Sequence, residues 1–315
     1  MVRAQAPDLA GFNIGRCLDI FIHLSQDLGA DMDNEFIVRL LTIGSLAGLL
    51  LAVGMKLSIE QVLEALRKRR LTLIVIANFA IVPAIVLAVT QFCGFRTEIS
   101  IGMILLAAAP FAPVVPVFAR MAQADLALAA GLTALFPLLS VFLTPLICRT
   151  ALKAIAFPGA VQFHVSEALI VMLATIVLPL GFGIAVNHVA LVFARNRVRQ
   201  VEIFSEMAGA ASLAFVTATE WPAITSIGWR PLAVMAVVGE ISLLLGYSLG
   251  GPDLGSRRVI GLGTSNRNIA LALLLALQAF GTRVVSAVVA NGLLLILLGL
   301  VHVAFWRFKG QRASE

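Results

Sequence analysis

The chain has 315 residues, of which 60% are hydrophobic and only 13% are charged, and its mean hydropathy is +1.00. Roughly a quarter of the residues in a soluble domain are charged, so this composition excludes an ordinary soluble protein and indicates one that lies in a lipid bilayer. The net charge of +6 comes from short basic runs between apolar segments, which is typical of membrane orientation signals, and no nucleic-acid partner is expected.

Nine apolar stretches follow a polar lead-in of residues 1–35. Each has about twenty residues, which is enough for a helix to cross the hydrocarbon core of a bilayer. The predicted spans are 36–54, 71–92, 98–121, 126–148, 165–187, 209–228, 231–250, 257–280 and 283–305. The sequence therefore predicts an all-α polytopic membrane protein with one transmembrane domain over 36–305 and a short cytoplasmic tail over 306–315.

Two basic segments, 58–70 and 188–207, are predicted to lie along the membrane interface, because each combines apolar residues at helical spacing with several arginines. Of the 23 Lys and Arg residues, the larger share falls in the loops on one side of the nine spans. Cytoplasmic loops carry such an excess, so we expect the N-terminus outside and the C-terminus in the cytoplasm. The lack of a targeting peptide and the short loops suit a multi-pass protein of a bacterial inner membrane.

The segment from Gly261 to Asn268 interrupts the span 257–280 with two glycines and then five consecutive polar residues. Glycines let a helix unwind, and the freed backbone groups then need side-chain, water or ligand partners. Arg267 is the fourth of these five polar residues, and a charge inside a span is costly enough to predict a function. We therefore expect a broken helix here.

A proline-rich segment in the first half of the chain is the counterpart of this break. Pro110, Pro113 and Pro116 interrupt the span 98–121, and the spans on either side follow in the same order as those around Arg267. An odd number of spans separates the halves, so they insert with opposite orientation. The sequence predicts an inverted repeat, about 36–150 and 165–305, whose two broken helices cross in the membrane.

Five short motifs connect these elements to a known family. In chain order they are Gly48–Leu57, Asn78–Pro83, Leu132–Leu135 with Leu143–Pro145, Gly246–Tyr247 and Arg257–Arg258. With these motifs in order, the chain from about Gly48 to Val301 resembles the bile acid:sodium symporter family. The resemblance implies a core domain with two crossing broken helices, a panel domain, and secondary active transport of organic anions such as sterol conjugates or keto acids.

The chain departs from the family where sodium ligands are expected. Pro110-Phe111-Ala112 replaces a Pro-Gly-Gly run, Val115-Pro116 replaces a Ser-Asn pair, and Phe136-Pro137 replaces hydroxyl residues. Gly261 stands at an acidic position. Sodium needs several oxygen ligands and charge compensation, so we expect the usual sodium coupling to be altered, lost or replaced by protons. No other cofactor is expected.

The candidate site residues surround the two breaks. For the substrate they are Arg267, Asn266, Asn268, Thr264, Pro110 and Pro116; for ion coupling or as counter-ions they are Glu240, Asn78, Ser265 and Thr133. Arg267 is predicted to replace the missing cation and to attract an anion with its guanidinium. The alternative is a structural ion pair between Arg267 and Glu240. Glu240 is also a candidate proton carrier.

Together these features predict a secondary transporter that moves a small organic anion by alternating access. No HExxH pattern and no Cys/His cluster at metal-ligand spacing occurs in the sequence, and an enzyme is not expected. Two alternatives stay open: a non-transporting receptor that binds a ligand, and a sodium-coupled symporter with a rearranged site.

Overall fold

The computed structural model describes residues 14–57, 70–155, 163–280 and 282–312, and within these ranges the regular structure is entirely helical. The helices are α1 (Ile14–Lys56), α2 (Leu71–Cys93), α3 (Thr97–Ala107), α4 (Val115–Met121), α5 (Leu126–Ile155), α6 (Val165–Val189), α7 (Leu191–Thr219), α8 (Trp221–Thr225), α9 (Trp229–Leu249), α10 (Leu254–Ser265), α11 (Ile269–Ala279) and α12 (Thr282–Arg312).

Eight stretches of the described residues are long and apolar enough to cross a membrane. They are α2, α5, α6, α7, α9, residues 34–56 of α1, residues 284–309 of α12, and α10 together with α11. The shorter apolar helix α3 and the helix α4 that follows it occupy the remaining predicted span, 98–121. The prediction of an all-α polytopic membrane protein is confirmed.

Two predicted boundaries are wrong. The segment 188–207 does not lie apart as an interfacial helix, because it forms most of α7, a candidate span, and only Ala190 separates α7 from α6. The predicted span 209–228 is therefore divided between α7 and the short α8. α1 begins at Ile14, so a helix covers more than half of the predicted polar lead-in. Nearly all of the predicted interfacial segment 58–70 lies outside the described residues.

The helices α2 and α6 each contain one wide π-helical turn, over 77–81 and 173–177. Each of these turns ends two residues before a proline, Pro83 or Pro179. Proline has no backbone N–H and its ring clashes with the carbonyl one turn earlier, so a locally wider turn accommodates it. In α2 the wide turn contains Asn78, whose carbonyl group belongs to the site described below.

A first group of helices, α1, α6 and α7, packs together through small residues; we call this group the panel. Gly48 approaches Ser205 so closely that a Cβ atom at position 48 would lie 2.1 Å from the Ser205 hydroxyl. The Thr42 and Ser212 hydroxyls share a hydrogen bond of 2.7 Å. Small residues and interhelical hydrogen bonds are what hold helices together in lipid. Other close pairs are Gly209 with Ser45 and Gly54 with Gly183.

The remaining long helices, α2 to α5 and α9 to α12, form a second group that we call the core. Its tightest contacts join α9 to α10, α3 to α12 and α11 to α12. Gly102 of α3 lies so close to Ala287 of α12 that an added Cβ atom would be 2.7 Å from the alanine methyl group. This packing places the two interrupted spans, α3–α4 and α10–α11, in the interior of the core.

Candidate functional site

The two breaks contact each other through backbone hydrogen bonds. The Ala112 N–H donates to the Asn266 carbonyl at 3.2 Å, and the Asn268 N–H donates to the Ala109 carbonyl at 2.8 Å. We call residues 108–114 and 266–268 the crossing. Unwound backbone inside a membrane protein must find partners, and here each break supplies them for the other.

The first break is lined by aromatic side chains. Phe111 has a φ of +55°, a left-handed conformation that favours glycine, and its buried ring stacks on Phe136 with 4.2 Å between ring centroids. Phe136 in turn stacks on Phe79 at 5.6 Å. Gly263 leaves room for this stack, because an added Cβ atom would lie 2.1 Å from the Phe111 ring. An apolar aromatic stack therefore fills this side of the crossing.

Asparagines cap both half-helices at the second break. The Asn268 side-chain oxygen accepts a hydrogen bond from the Leu271 N–H at 3.1 Å, so Asn268 is the N-cap of α11. The Asn266 amide group donates to the Leu262 carbonyl at 3.1 Å, near the end of α10. The Asn266 side-chain oxygen is buried without a hydrogen-bond partner. Both predicted substrate ligands thus stabilise the break as well.

The Arg267 guanidinium points into the core. The side chain is 3% exposed, and its Nη1 donates to the carbonyl oxygens of Asn78 at 3.3 Å and Ala107 at 3.2 Å. Ala107 is the last residue of α3, where carbonyl groups lack helical partners and the helix dipole is negative. Arg267 Nη2 is buried without a partner. Among the described residues, no carboxylate lies within salt-bridge distance of this guanidinium.

The structure contradicts the alternative interpretation in which Arg267 pairs with Glu240. Gly239 is the residue of α9 that meets the second break, because its carbonyl accepts a hydrogen bond of 3.2 Å from the Ser265 hydroxyl. One residue further along a helix is a rotation of about 100°. The Glu240 carboxylate therefore faces α12, where it lies 3.4 Å from His302 Nε2.

Sequence reasoning missed His302. Ionisable residues inside spans often pair, so the presence of His302 and Glu240 in two apolar helices was the available signal. Nothing in the helical periodicity showed that these two helices are neighbours.

The other predicted ion-coupling residues lie deep in the core. The Asn78 amide group donates to the Thr264 hydroxyl at 3.1 Å and to the Ile74 carbonyl at 2.9 Å. The Asn78 side-chain oxygen and the Thr133 hydroxyl are buried without partners. Thr264, predicted to bind substrate, thus faces α2.

A cavity of about 290 Å³ lies between the panel and the crossing. The core contributes residues 112–114 and 266–270, and the panel contributes the polar residues Thr42, Ser45, Glu206 and Ser212. A second crevice of about 270 Å³ shares Leu49, Pro113 and Glu206 with the first.

The second crevice extends towards a set of basic residues. They are Lys56, Arg120 and Arg199, and Pro116 also lines this crevice. All three basic residues belong to the side that the distribution of Lys and Arg assigns to the cytoplasm. The panel residues at both cavities were missed from the sequence, where the hydroxyl and small residues of 42–48 and 205–212 were the only signal.

The sequence pattern of the sodium bile acid symporter family matches residues 44–226. The chain belongs to this family. The match covers the panel and the first break, and no individually curated protein matches the chain. Members of the family are transporters, so this chain is a multi-pass membrane transporter of the bile acid symporter kind.

The side chains at the crossing supply neutral oxygens and one guanidinium. Within the described residues of the crossing, the unpartnered side-chain oxygens that face the core are neutral, as are those of Asn78 and Thr133 nearby. The rings of Phe111 and Phe136 stack beside the first break, and a guanidinium binds the free carbonyl groups. The crossing therefore offers a hard cation only neutral oxygens, because residues 108–114 and 266–268 contain no carboxylate.

Proposed function

We propose that the protein is a secondary transporter that carries a small organic anion across the membrane by alternating access. The observation that carries this proposal is the cavity of about 290 Å³, which both the panel and the crossing line. A site between two packed groups of helices becomes accessible from either side when one group moves relative to the other. The crevice towards Lys56 and Arg120 provides a cytoplasmic path to this cavity.

We take the crossing, and not the panel with its Glu206 carboxylate, as the side of the cavity that binds an anion. The eleven-residue helix α11 begins at the crossing, and its first residues, Ile269 and Ala270, line the cavity next to Asn268. A helix N-terminus favours a negative group. The Arg267 guanidinium, although directed into the core, adds positive potential in a region of low dielectric constant.

The shape and lining of the cavity support an organic rather than an inorganic anion. Leu49, Leu273 and Ile296 form apolar walls. Ligand sites of a few hundred Å³ commonly combine such walls with a few polar groups that fix orientation. We assign Asn266, Asn268 and the Arg267 backbone to the anionic end of the substrate, and the panel helices to its apolar body.

A change of charge at Asn268 tests this assignment. Asp caps a helix as well as Asn does, so Asn268→Asp should keep α11 capped while placing a negative charge in the cavity. In proteoliposomes loaded with buffer and supplied with labelled keto acids, sulfonates and sterol conjugates, we expect saturable uptake of at least one class by the unmodified protein. The half-saturation concentration of the variant should be at least about tenfold higher. A repulsion of about 1.4 kcal/mol between the new carboxylate and the anion is enough for this change.

Asp253→Asn provides the matched control, because Asp253 caps α10 through the Ser256 N–H at 2.6 Å and does not line the cavity. Asp253→Asn replaces an aspartate N-cap by asparagine, which is the reverse of the change in Asn268→Asp, and it should leave uptake unchanged. Saturable binding of an anion without flux would support the receptor alternative instead. Equal half-saturation for Asn268→Asp and the unmodified protein would exclude the proposed anion position.

The coupling ion that we propose is the proton, carried by Glu240 and His302. Their side chains are partly exposed and lie 3.4 Å apart on two core helices. Trp306 lies beside His302, with 5.8 Å between ring centroids, and the Arg258 guanidinium lies 5.7 Å from the centre of the Trp306 ring. Ionisable groups inside spans commonly form proton pathways.

An imposed pH gradient measures this coupling. If one proton accompanies each anion, a step of about one pH unit, acid outside, should drive roughly tenfold accumulation. Glu240→Gln and His302→Gln should abolish this accumulation while still exchanging labelled for unlabelled anion at equal pH. Unchanged accumulation in both variants would remove the pair from the coupling mechanism.

A further inference from the structure

We propose that Arg267 acts as a permanent cation of the crossing. Its guanidinium stabilises the two broken helices, which therefore need no bound metal ion to fold. The guanidinium belongs to the chain and therefore stays in place through the whole transport cycle. The inference rests on the proposed transport function for its biological meaning, because it concerns the ion dependence of the same site. Its test does not require transport.

The contacts of Arg267 are those that a cation would make with unwound backbone. Nη1 binds two carbonyl oxygens from two different helices, those of Asn78 in the wide turn of α2 and Ala107 at the end of α3. The wide turn and the helix end are places where carbonyl groups lack regular helical partners. One side chain of the second break thereby connects α2 and the first break.

Helix dipoles compensate the charge of this guanidinium. The helices α3 and α10, of eleven and twelve residues, both end at the crossing with their C-terminal carbonyl groups. Such ends carry partial negative charge and stabilise a cation. This compensation explains how Arg267 is buried although no described carboxylate lies within salt-bridge distance of it.

The space beside the guanidinium has room for about one water molecule. A cavity of about 20 Å³ adjoins Arg267, Ser242, Ser265 and Asn291. A volume of about 10–15 Å³ holds one water molecule, so a single water has room to accept a hydrogen bond from the unpartnered Nη2. On the other side of the crossing, the stacked rings of Phe111 and Phe136 occupy the interior.

Thermal unfolding of the purified protein in detergent tests the proposal. A metal ion bound far above its dissociation constant would raise the unfolding midpoint by roughly 5 °C or more. We expect midpoints that agree within about 1 °C in sodium chloride and potassium chloride. Arg267→Ala should lower the midpoint by more than about 5 °C, and about 10 mM methylguanidinium chloride should recover part of that loss.

Arg258→Ala is the matched control, because Arg258 also donates to a backbone carbonyl, that of Ala122 at 2.8 Å, but lies outside the crossing. Its loss of stability should not respond to methylguanidinium. If Arg267→Ala does not fold, Arg267→Lys keeps a cation near the same carbonyl groups and should fold, again with equal midpoints in sodium and potassium.

Three results would overturn the proposal. They are saturable stabilisation of the unmodified protein by sodium over potassium, a sodium response gained by Arg267→Lys, and full stability of Arg267→Ala without any response to methylguanidinium. A failure to transport organic anions would leave all of these measurements intact, so the two proposals fail separately.

Discussion

The two breaks of the crossing stabilise unwound backbone by opposite chemistry. At the first break, prolines remove backbone donors and Phe111 fills the interior with a stacked ring. At the second, Asn266 and Asn268 supply hydrogen bonds to the helix ends, and Arg267 binds carbonyl groups of two other helices. The apolar break forms a rigid wall, and the polar break carries the charge.

This difference shows that two breaks in one crossing can be stabilised by different side chains around the same backbone contacts. Phe111 keeps a left-handed backbone conformation that glycine would adopt more easily. The ring fits only because residue 263 has no side chain. The reciprocal hydrogen bonds at Ala112 and Asn268 use backbone atoms, and they persist whatever side chains surround them.

The largest expected effect comes from removing the ring of the first break. Phe111→Ala deletes a fully buried ring from a stack of three and should lower the free energy of unfolding by about 3–5 kcal/mol. Phe111→Gly leaves a similar cavity but adopts the positive φ without strain, which is worth about 1 kcal/mol. Denaturant unfolding in mixed micelles should therefore rank the glycine variant as the more stable.

Phe142→Ala and Phe142→Gly form the control pair, since Phe142 lies inside α5 with an exposed side chain and an ordinary helical backbone. Here glycine should be the less stable residue, by about 1 kcal/mol. If glycine were also the less stable residue at position 111, the backbone strain assigned to the first break would be absent.

The crossing itself was predictable from the sequence, because glycines, prolines and polar residues inside apolar spans leave few other interpretations. The structure contains two backbone hydrogen bonds between the breaks, one from Ala112 to Asn266 and one from Asn268 to Ala109. The repeat symmetry and the site roles stay predictions. The partner of Glu240 was not predictable, since a rotation of one residue on α9 decides whether a side chain faces Arg267 or His302.

The prediction that segment 188–207 lies along the membrane interface was wrong for a related reason. Its arginines indicate an interface, but α7 is a long helix whose basic residues lie in its first turns and whose small residues pack on α1. Composition averaged over twenty residues does not separate these two parts. The close approaches at Ser205 and Gly209 depend on the partner helix, which the sequence of α7 alone does not reveal.

A smaller effect is expected where the polar break contacts the apolar one. Gly263→Ala places a methyl group 2.1 Å from the Phe111 ring, and the ring cannot move away because it stacks on Phe136. Overpacking of this kind should lower the free energy of unfolding by about 1–3 kcal/mol, measured by the same denaturant titration. The double variant with Phe111→Ala should recover most of that loss, because the methyl group then meets a cavity.

Gly181→Ala gives the baseline for this exchange, since a Cβ atom at position 181 of α6 meets nothing within 4 Å. There alanine should stabilise the helix by about 0.5–1 kcal/mol through its better helix propensity. The sign of the change is thus expected to differ between the two glycines. If Gly263→Ala were as stable as Gly181→Ala, the second break would not be fitted to the ring of the first.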